Sequence, residues 1–210
     1  MCGRARATAR PSEIRNIVNR VLNAQLPEND AIVNNAIVNN AENLTPGMTM
    51  YVAYINENNE LAVDPMIWGI KMNKMTLFNT RSEELMNKPM FNKLMKNNRG
   101  VVVLDGFYEF ASNGKGRPKT KYMITPLKEQ YFIVPVLFNN KGCFTMLTQP
   151  PVTEIFKTIH ERQPVILSNS QLYCWIYINE KEMQYENIRD VDKSLNTFKL
   201  TARLDNLVAA

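Results

Sequence analysis

The sequence has few of the side chains that bind transition metals. Its 210 residues include one histidine, His160, and three cysteines, Cys2, Cys143 and Cys174, with no C-x-x-C pair. Protein zinc sites take several closely spaced Cys and His ligands, so this composition argues against a zinc site. We expect neither a metal nor an organic cofactor. Cys143 and Cys174 lie in the apolar segments KGCFTML and QLYCWIYI, which predicts that both thiols are buried and unreactive.

Long apolar runs are also absent. Segments such as VVVL and YFIVPVLF end after a few residues, whereas a helix that crosses a bilayer needs about 20. No apolar core follows the charged start RARATAR, which argues against a secretory signal, and the early acid Glu13 disfavours a transit peptide. No Pro-, Gly- or Ser-rich linker divides the chain. The sequence therefore predicts a cytoplasmic, monomeric protein with one domain over residues 1–210 and no membrane partner.

What the chain does have is an ordinary globular composition with an excess of positive charge. Apolar residues make up 45% and charged residues 21% of the sequence, which argues against a disordered chain. Lys and Arg total 25 against 20 Asp and Glu, for a net charge of +5. The first part of the chain concentrates arginines at Arg4, Arg6, Arg10, Arg15 and Arg20. Such a cluster suits phosphate groups, or forms a solvated helix face.

The hydrophobic pattern switches between strand and helix types. Ser12 is a candidate cap for a helix whose apolar stripe runs from Ile14 to Leu22, and the pentad AIVNN, repeated in residues 31–40, indicates a loop. MTMYVAYI and LAVDPMIWGI flank the polar turn NENNE and predict a hairpin. Further strands are indicated at TLFN, GVVVLDGFYEF, KYMIT, YFIVPVLF and CFTMLT, and helices at SEELMNKPMFNKLMKN, VTEIFKTIH and SQLYCWIYI. The predicted class is α+β, with mostly antiparallel strands in sequential order.

A few polar positions stand out by their neighbours. Glu109 in GFYEF is flanked by aromatic and small residues, so its carboxylate is either exposed or buried, where a raised pKa would suit proton transfer. His160 ends an amphipathic helix, where a lone histidine is commonly a cap. Asn79 and Arg81 in FNTRSEEL are two residues apart, on one face of a continuing strand, where they would orient a reacting group and bind a phosphate. Alternatively, Asn79 is an ordinary turn residue.

The start MCGR has a chemistry of its own. Methionine aminopeptidases remove the first residue when the second is small, which would leave Cys2 at the amino terminus. An amino-terminal cysteine carries an amine of pKa about 8 and a thiol of pKa about 8.5 on adjacent carbons, so both keep a reactive fraction at neutral pH. With an aldehyde, the amine forms an imine and the thiol adds to the imine carbon, which closes a five-membered thiazolidine.

Six motifs carry a resemblance to a known family. In order, MCGR, ENLTP, IWGI, FNTRSEEL, RGVVVLDGFYEF and IHERQPVIL resemble the SOS-response-associated peptidase (SRAP) family from Met1 to about Leu167. The resemblance implies a single domain with a mostly antiparallel, barrel-like β core and flanking helices. It further implies covalent capture of abasic sites in single-stranded DNA through a Cys2 thiazolidine, with an associated peptidase activity and, when DNA is bound, a place at the nucleoid.

The family's functional residues carry over to eight positions of this sequence. In the implied chemistry, Cys2 is the nucleophile, Asn79 holds the reacting amine or sugar, Glu109 is the general acid and base, and His160 assists sugar ring opening and reversal. In the implied DNA contacts, Arg81 and Arg162 bind phosphates, Trp68 packs against bases, and Arg4 lines the same groove. No metal is implied.

Three other functions remain open at this level. Amino-terminal-nucleophile glutamine amidotransferases also begin Met-Cys-Gly, although RARATARPSE is not the apolar strand expected to follow in them. A non-covalent single-stranded DNA-binding module would use the arginines and Trp68 and leave Cys2 without a role. A cysteine peptidase would pair Cys2 with His160.

Overall fold

The computed structural model describes residues 3–22, 41–73, 75–85, 87–111, 119–126, 130–177 and 201–204. The helices in this part of the chain are α1 (Pro11–Leu22), α2 (Pro89–Asn97), α3 (Glu154–Ile159) and α4 (Asn169–Tyr177). The strands are β1 (Arg4–Arg6), β2 (Thr49–Ile55), β3 (Leu61–Trp68), β4 (Ile70–Met72), β5 (Met75–Leu77), β6 (Asn79–Arg81), β7 (Arg99–Leu104), β8 (Gly106–Ala111), β9 (Thr120–Thr125), β10 (Phe132–Asn139), β11 (Cys143–Gln149), β12 (Gln163–Pro164) and β13 (Thr201–Leu204). The AIVNN repeat lies outside the described residues, as does Pro27, which the sequence predicts to end the segment that contains the first helix.

The larger sheet confirms the α+β class but corrects the strand order. Its order is β10-β7-β2-β3-β11-β12, with β6 paired to β11, so neighbours in space are mostly not neighbours in sequence. Most pairs are antiparallel, and β11 runs parallel to β3 and β6. Because β11 also pairs with β10, the sheet curls back on itself. The β11–β3 contact consists only of Cys143↔Ile67 and Phe144↔Trp68, so the barrel is not closed along its length.

The second sheet, ordered β1-β8-β9-β13, carries the start of the chain. The predicted single strand GVVVLDGFYEF is divided by Asp105 into β7, in the larger sheet, and β8, in this one. The Asp105 carboxylate accepts from the Thr8 backbone N–H at 2.6 Å and from the Thr8 hydroxyl at 2.8 Å. Its own backbone N–H donates to the Arg6 carbonyl at 2.9 Å. These bonds hold the chain at the crossing from one sheet to the other.

Two helix boundaries differ from the sequence prediction for local reasons. Helix α1 begins at Pro11, not after Ser12, because proline needs no N–H partner in a first turn and the Glu13 carboxylate accepts from the Arg10 backbone N–H at 2.7 Å. The predicted helix SEELMNKPMFNKLMKN is split into a 3₁₀ turn, Ser82–Glu84, and α2, which Pro89 begins.

The apolar core lies between the sheets and the helices. Phe107 of β8 packs against Phe132 of β10 and Phe156 of α3, with ring centroids 5.8 and 5.9 Å apart. Trp175 of α4 is buried and donates its indole N–H to the Gly100 carbonyl at 2.8 Å. The prediction that Cys143 and Cys174 are buried is wrong, since both are partly exposed. None of the described helices has the length and apolar character needed to span a membrane.

Candidate active site and nucleic-acid interface

Glu109 is buried in the middle of β8. Its strand is covered by β1 on one edge and β9 on the other, where Glu109 faces Tyr122. Only 3% of Glu109 is exposed, and this burial raises the pKa of its carboxyl to about 7. Of the two placements that the sequence left open, the structure therefore shows the buried one. A carboxyl with this pKa exchanges protons readily at neutral pH.

His160 lies where the chain leaves α3. The Thr153 hydroxyl caps the start of the helix, and the His160 backbone N–H closes its end by donating to the Phe156 carbonyl at 3.0 Å. The imidazole Nδ1 accepts from the Arg162 backbone N–H at 3.0 Å, so the neutral ring carries its proton on Nε2. Burial lowers the pKa of His160, which keeps the ring neutral near pH 7.

Glu109 and His160 belong to one neighbourhood. Phe107 and Glu109 alternate onto the same face of β8, and Phe107 packs on Phe156 of the helix that ends at His160. The positive charge of Lys119 acts on both groups. It opposes the larger effect of burial on the pKa of Glu109, and it adds to the effect of burial on the pKa of His160.

Asn79 and Arg81 lie on the short strand β6, which pairs in parallel with β11. Asn79 is nearly buried at 9% exposure, and the neighbouring Thr80 hydroxyl bonds to that of Thr145 at 3.0 Å. Arg81 is exposed and makes an ion pair with Glu84 at 3.4 Å. The strand therefore holds the Asn79 amide in the interior and the Arg81 cation at the surface, and the roles expected of them stay predictions.

Arg162 is not a free surface cation. It is 8% exposed, and its guanidinium makes a two-point ion pair with Glu83. The same guanidinium donates to the Thr148 carbonyl at 2.8 Å. Arg162, expected to bind phosphate, thus has protein groups as its partners in this structure, and a phosphate would have to displace the Glu83 carboxylate.

Trp68 is a core residue, and the expectation that it packs against DNA bases is wrong. It is 0% exposed, its indole N–H donates to the Phe78 carbonyl at 2.8 Å, and its ring meets that of Phe78 edge-on. Gly69 follows with a φ of +128°, a conformation that side chains disfavour, and a Cβ there would lie 2.6 Å from Thr76. The Trp-Gly pair is thus explained by packing and by the turn into β4.

The start of the chain runs alongside Glu109. Strand β1 pairs antiparallel with β8 in the register Arg4↔Tyr108, Ala5↔Phe107 and Arg6↔Gly106. The Arg4 guanidinium lies 5.6 Å from the centre of the Phe110 ring, which flanks Glu109 in sequence. Cys2 lies outside the described residues. Gly3 precedes Arg4 as Glu109 follows Tyr108, so this register directs the chain start toward the carboxylate.

Comparison with known proteins now assigns the family. The family model described as SOS response associated peptidase (SRAP) matches residues 1–206. The chain belongs to the SRAP family. The match extends past Leu167, where the sequence resemblance ended, and includes β13.

Curated relatives of this SRAP protein are found in Bacillus subtilis and one of its phages. Abasic site processing protein YobE of B. subtilis is 27% identical over 160 residues, which cover 68% of this chain and 71% of the relative. Abasic site processing protein YoqW, from B. subtilis and from phage SPbeta, is 28% identical over 160 residues, 68% of this chain and 69% of the relative.

Solved structures share the fold of this SRAP chain. A protein from Bacteroides thetaiotaomicron superimposes with a TM-score of 0.69 at 14% identity, over 98% of this chain and 93% of the other. A phage-related protein from Bordetella bronchiseptica has a TM-score of 0.67 at 17% identity, over 96% of this chain and 94% of the other.

Sequence reasoning missed two charged residues around this SRAP site. Lys119 acts on Glu109 and His160, and its only sequence signal is its place at the start of the strand that pairs with β8. Glu83 binds Arg162 from 79 residues away, a separation that no local pattern reveals. In the part of the chain that the structure describes, no group of three or more His, Cys, Asp and Glu side chains is placed to hold a metal.

Proposed function

We propose that this protein captures abasic sites in single-stranded DNA by forming a thiazolidine between Cys2 and the ring-opened deoxyribose. The observation that carries the proposal is the pairing of β1 with β8, which directs the chain start toward a buried carboxyl of pKa about 7. Consecutive Cα atoms are about 3.8 Å apart, so Cys2 is tethered within one residue of Gly3. Membership of the SRAP family and the names of its curated relatives, abasic site processing proteins, support the same substrate.

The reaction needs a proton carrier at two points. The Cys2 amine adds to the aldehyde carbon, and loss of one water gives the imine once the departing oxygen has been protonated. The thiol then adds to the imine carbon, forming a C–S bond while its proton passes to the nitrogen. Glu109, with a pKa of about 7, has both forms available at neutral pH and is assigned these transfers as general acid and base.

Two further polar residues complete the proposed chemistry. Asn79, held in β6 by pairing with β11, is assigned to position the amine or the sugar oxygens through its amide. His160 carries its neutral-form proton on Nε2, and we assign it to assist opening of the sugar ring and reversal of the adduct.

The DNA interface is proposed to use surface cations near the site. The partly exposed Arg4 and the exposed Arg81 bind backbone phosphates, and the exposed Lys119 adds a third positive charge that acts on Glu109 and His160. An abasic nucleotide has no base to unstack, so turning it toward Glu109 costs less than flipping an intact nucleotide. Selectivity follows from chemistry, because an intact nucleotide presents no aldehyde.

An associated peptidase step belongs to the same proposal. The family description includes the word peptidase, and we assign to the same site the hydrolysis of the peptide bond between Met1 and Cys2. Its hydrolysis consumes one water and releases methionine together with the free Cys2 amine. The site would thereby generate its own nucleophile, as an alternative to removal of Met1 by an aminopeptidase.

The proposal is tested with an oligonucleotide that carries one abasic site. The parent protein should give a slower band on a denaturing gel, and Cys2→Ala should give none, because both bonding atoms of the aminothiol are required. Cys143→Ala is the matched control, since Cys143 is a partly exposed free thiol elsewhere and its loss should change nothing. A Cys2→Ala band as strong as the parent's would refute the proposal, and DNA binding without any covalent band would favour the non-covalent module.

A further inference from the structure

One buried residue, Arg162, fixes the position of the loop that follows α3. Arg162 donates its backbone N–H to His160 Nδ1 at 3.0 Å, and its side chain turns inward to Glu83 and Thr148. One guanidinium nitrogen donates to Glu83 Oε2 at 3.1 Å and to the Thr148 carbonyl at 2.8 Å. The same residue therefore orients the imidazole through its backbone and anchors the loop through its side chain.

The anchor reaches the strand that carries Asn79. Thr148 lies on β11 opposite Arg81 of β6, and Met146, two residues earlier, lies opposite Asn79. The Thr148 hydroxyl donates to the Thr80 carbonyl at 3.3 Å. Glu83 itself is part of the 3₁₀ turn that follows β6 directly. Contacts of Arg162 thus join the His160 loop to the carboxyl end of β6, the strand that begins at Asn79.

From these contacts we infer that Glu83 is a positioning residue, which fixes His160 relative to Asn79 by holding Arg162 in the interior. The effect of Glu83 on adduct formation rests on the proposed function, whereas its effect on the orientation of His160 does not. A buried guanidinium that loses its carboxylate partner is left with an uncompensated charge, so Arg162 would move toward solvent. Its backbone N–H would then no longer be held against His160 Nδ1.

The ion pair with Glu83 also makes the Arg162 guanidinium less available to a phosphate. Burial acts to raise the pKa of Glu83, but hydrogen bonds and charge from Arg162 outweigh it and leave the pKa below its ordinary value. Glu83 is therefore ionised at neutral pH and remains a partner for the guanidinium. An incoming phosphate would compete with a charged group already bound at two points.

The chain contains a single histidine, which makes the test direct. In the parent protein, NMR of the imidazole nitrogens should show the Nε2–H form with Nδ1 accepting a hydrogen bond, and a pKa below that of free histidine. In Glu83→Gln, which keeps the shape but loses the charge, we expect a mixture of the two neutral forms and a pKa closer to the ordinary value. Lys119 and Glu161 also act on His160 and are unchanged in the variant.

Two further variants keep the test decisive. Glu83→Asp retains the charge and should keep the Nε2–H form in the larger share, and it serves if Glu83→Gln does not fold. Glu154→Gln removes an exposed carboxylate of α3 that pairs only with Lys157 among the contacts the structure shows, and should leave the spectrum unchanged. Parent-like histidine spectra in both Glu83 variants would overturn the inference.

The link to function is measured separately from the link to geometry. We expect Glu83→Gln to slow adduct formation about tenfold, less than the roughly hundredfold or more that is lost with an acid or base itself, while DNA affinity stays within about twofold of the parent. Adduct formation in Glu83→Gln at the rate of the parent protein would instead overturn the role of this positioning in the reaction. If the parent protein forms no adduct at all, the proposed function fails, and the histidine spectra still decide whether Glu83 positions His160.

Discussion

At the scale of single residues, the site is defined by a carboxyl placed where folding disfavours its charge. Glu109 is 3% exposed, and burial raises its pKa to about 7, whereas the same group in an unfolded chain titrates near 4.5. The folded protein thus holds the proton more tightly than the unfolded chain does. Stability from this residue is complete below about pH 4.5 and is lost as the pH rises through 7.

Replacing Glu109 by Gln should therefore separate stability from activity. At pH 8 the variant should gain up to roughly 3 kcal/mol in free energy of unfolding over the parent, since each unit of pKa shift is worth about 1.4 kcal/mol. At pH 4 the difference should nearly vanish, because the parent carboxyl is then protonated in both states. Urea unfolding at both pH values measures this, and an equal difference at the two would contradict the raised pKa. Adduct formation should slow because the proton carrier is lost.

At the scale of elements, the short strand β6 depends on β11 for its place. Thr80 and Thr145 are buried at 2% and 0% exposure and share one hydroxyl hydrogen bond of 3.0 Å. Pairing of the two strands is parallel and spans only Asn79 to Arg81, so few backbone bonds hold Asn79. The threonine pair is therefore a specific tie between the strands.

Substitutions of the two threonines, singly and together, measure what their hydrogen bond contributes to the free energy of unfolding. Thr80→Val should lower the free energy of unfolding by about 1 to 2 kcal/mol, because it leaves the buried Thr145 hydroxyl without its partner. The double variant Thr80→Val, Thr145→Val should recover most of the loss, since both polar groups are then replaced by methyls of similar shape. A loss of stability in the double variant equal to the sum of the two single losses would show that the hydroxyls do not act on each other.

The sequence predicted individual helices and strands well, but it did not predict where one strand breaks or how the strands are ordered in the sheets. The hairpin of β2 and β3 follows from alternating apolar residues around NENNE, and α1 follows from its apolar stripe, because both patterns are local. The break at Asp105 was missed, since it depends on Thr8, 97 residues away. Strand order was missed for the same reason: β11 joins β3 and β6 through contacts that no short segment encodes.

The candidate site shows the same difference between what local motifs predict and what long-range packing decides. Motif order pointed to Glu109, His160 and Asn79, and the structure places the first two in one neighbourhood. The exposure of Trp68 did not follow from the sequence, because a tryptophan in a basic chain fits a stacking surface as well as a core. Trp68 proved to be core, and Arg162 proved to be paired with Glu83. Whether a polar side chain faces water or another chain segment depends on long-range packing, which motif spacing does not specify.

At the scale of the whole molecule, the positive charge is divided between structural and available cations. Arg6 pairs with Glu42 at 2.6 Å and Arg162 with Glu83, so part of the net charge of +5 is already engaged. Arg81 is exposed, and its ion pair with Glu84 is long at 3.4 Å. Exposed pairs of this kind contribute about 0 to 1 kcal/mol, so a phosphate displaces them at little cost.

Arg81→Gln should accordingly weaken non-covalent binding to single-stranded DNA for every sequence alike. The plot of log affinity against log salt should lose roughly 0.7 of its slope, the share of one phosphate contact on a single strand. Lys93→Gln is the control, because Lys93 is an exposed cation on α2, which packs against β7 and β10, and its loss should leave the slope unchanged. Fluorescence anisotropy at several salt concentrations gives both values. Equal slopes for Arg81→Gln and the parent would remove Arg81 from the interface.

The most direct test of the central claim is the mass of the adduct and the position of its bond. With an oligonucleotide carrying one abasic site, we predict a species whose mass equals that of the protein lacking Met1 plus the oligonucleotide minus one water. Proteolysis and peptide mapping should place the bond at Cys2 without any reducing agent. Retention of Met1 in the adduct, or a bond at a lysine that appears only after borohydride reduction, would contradict capture by an amino-terminal cysteine.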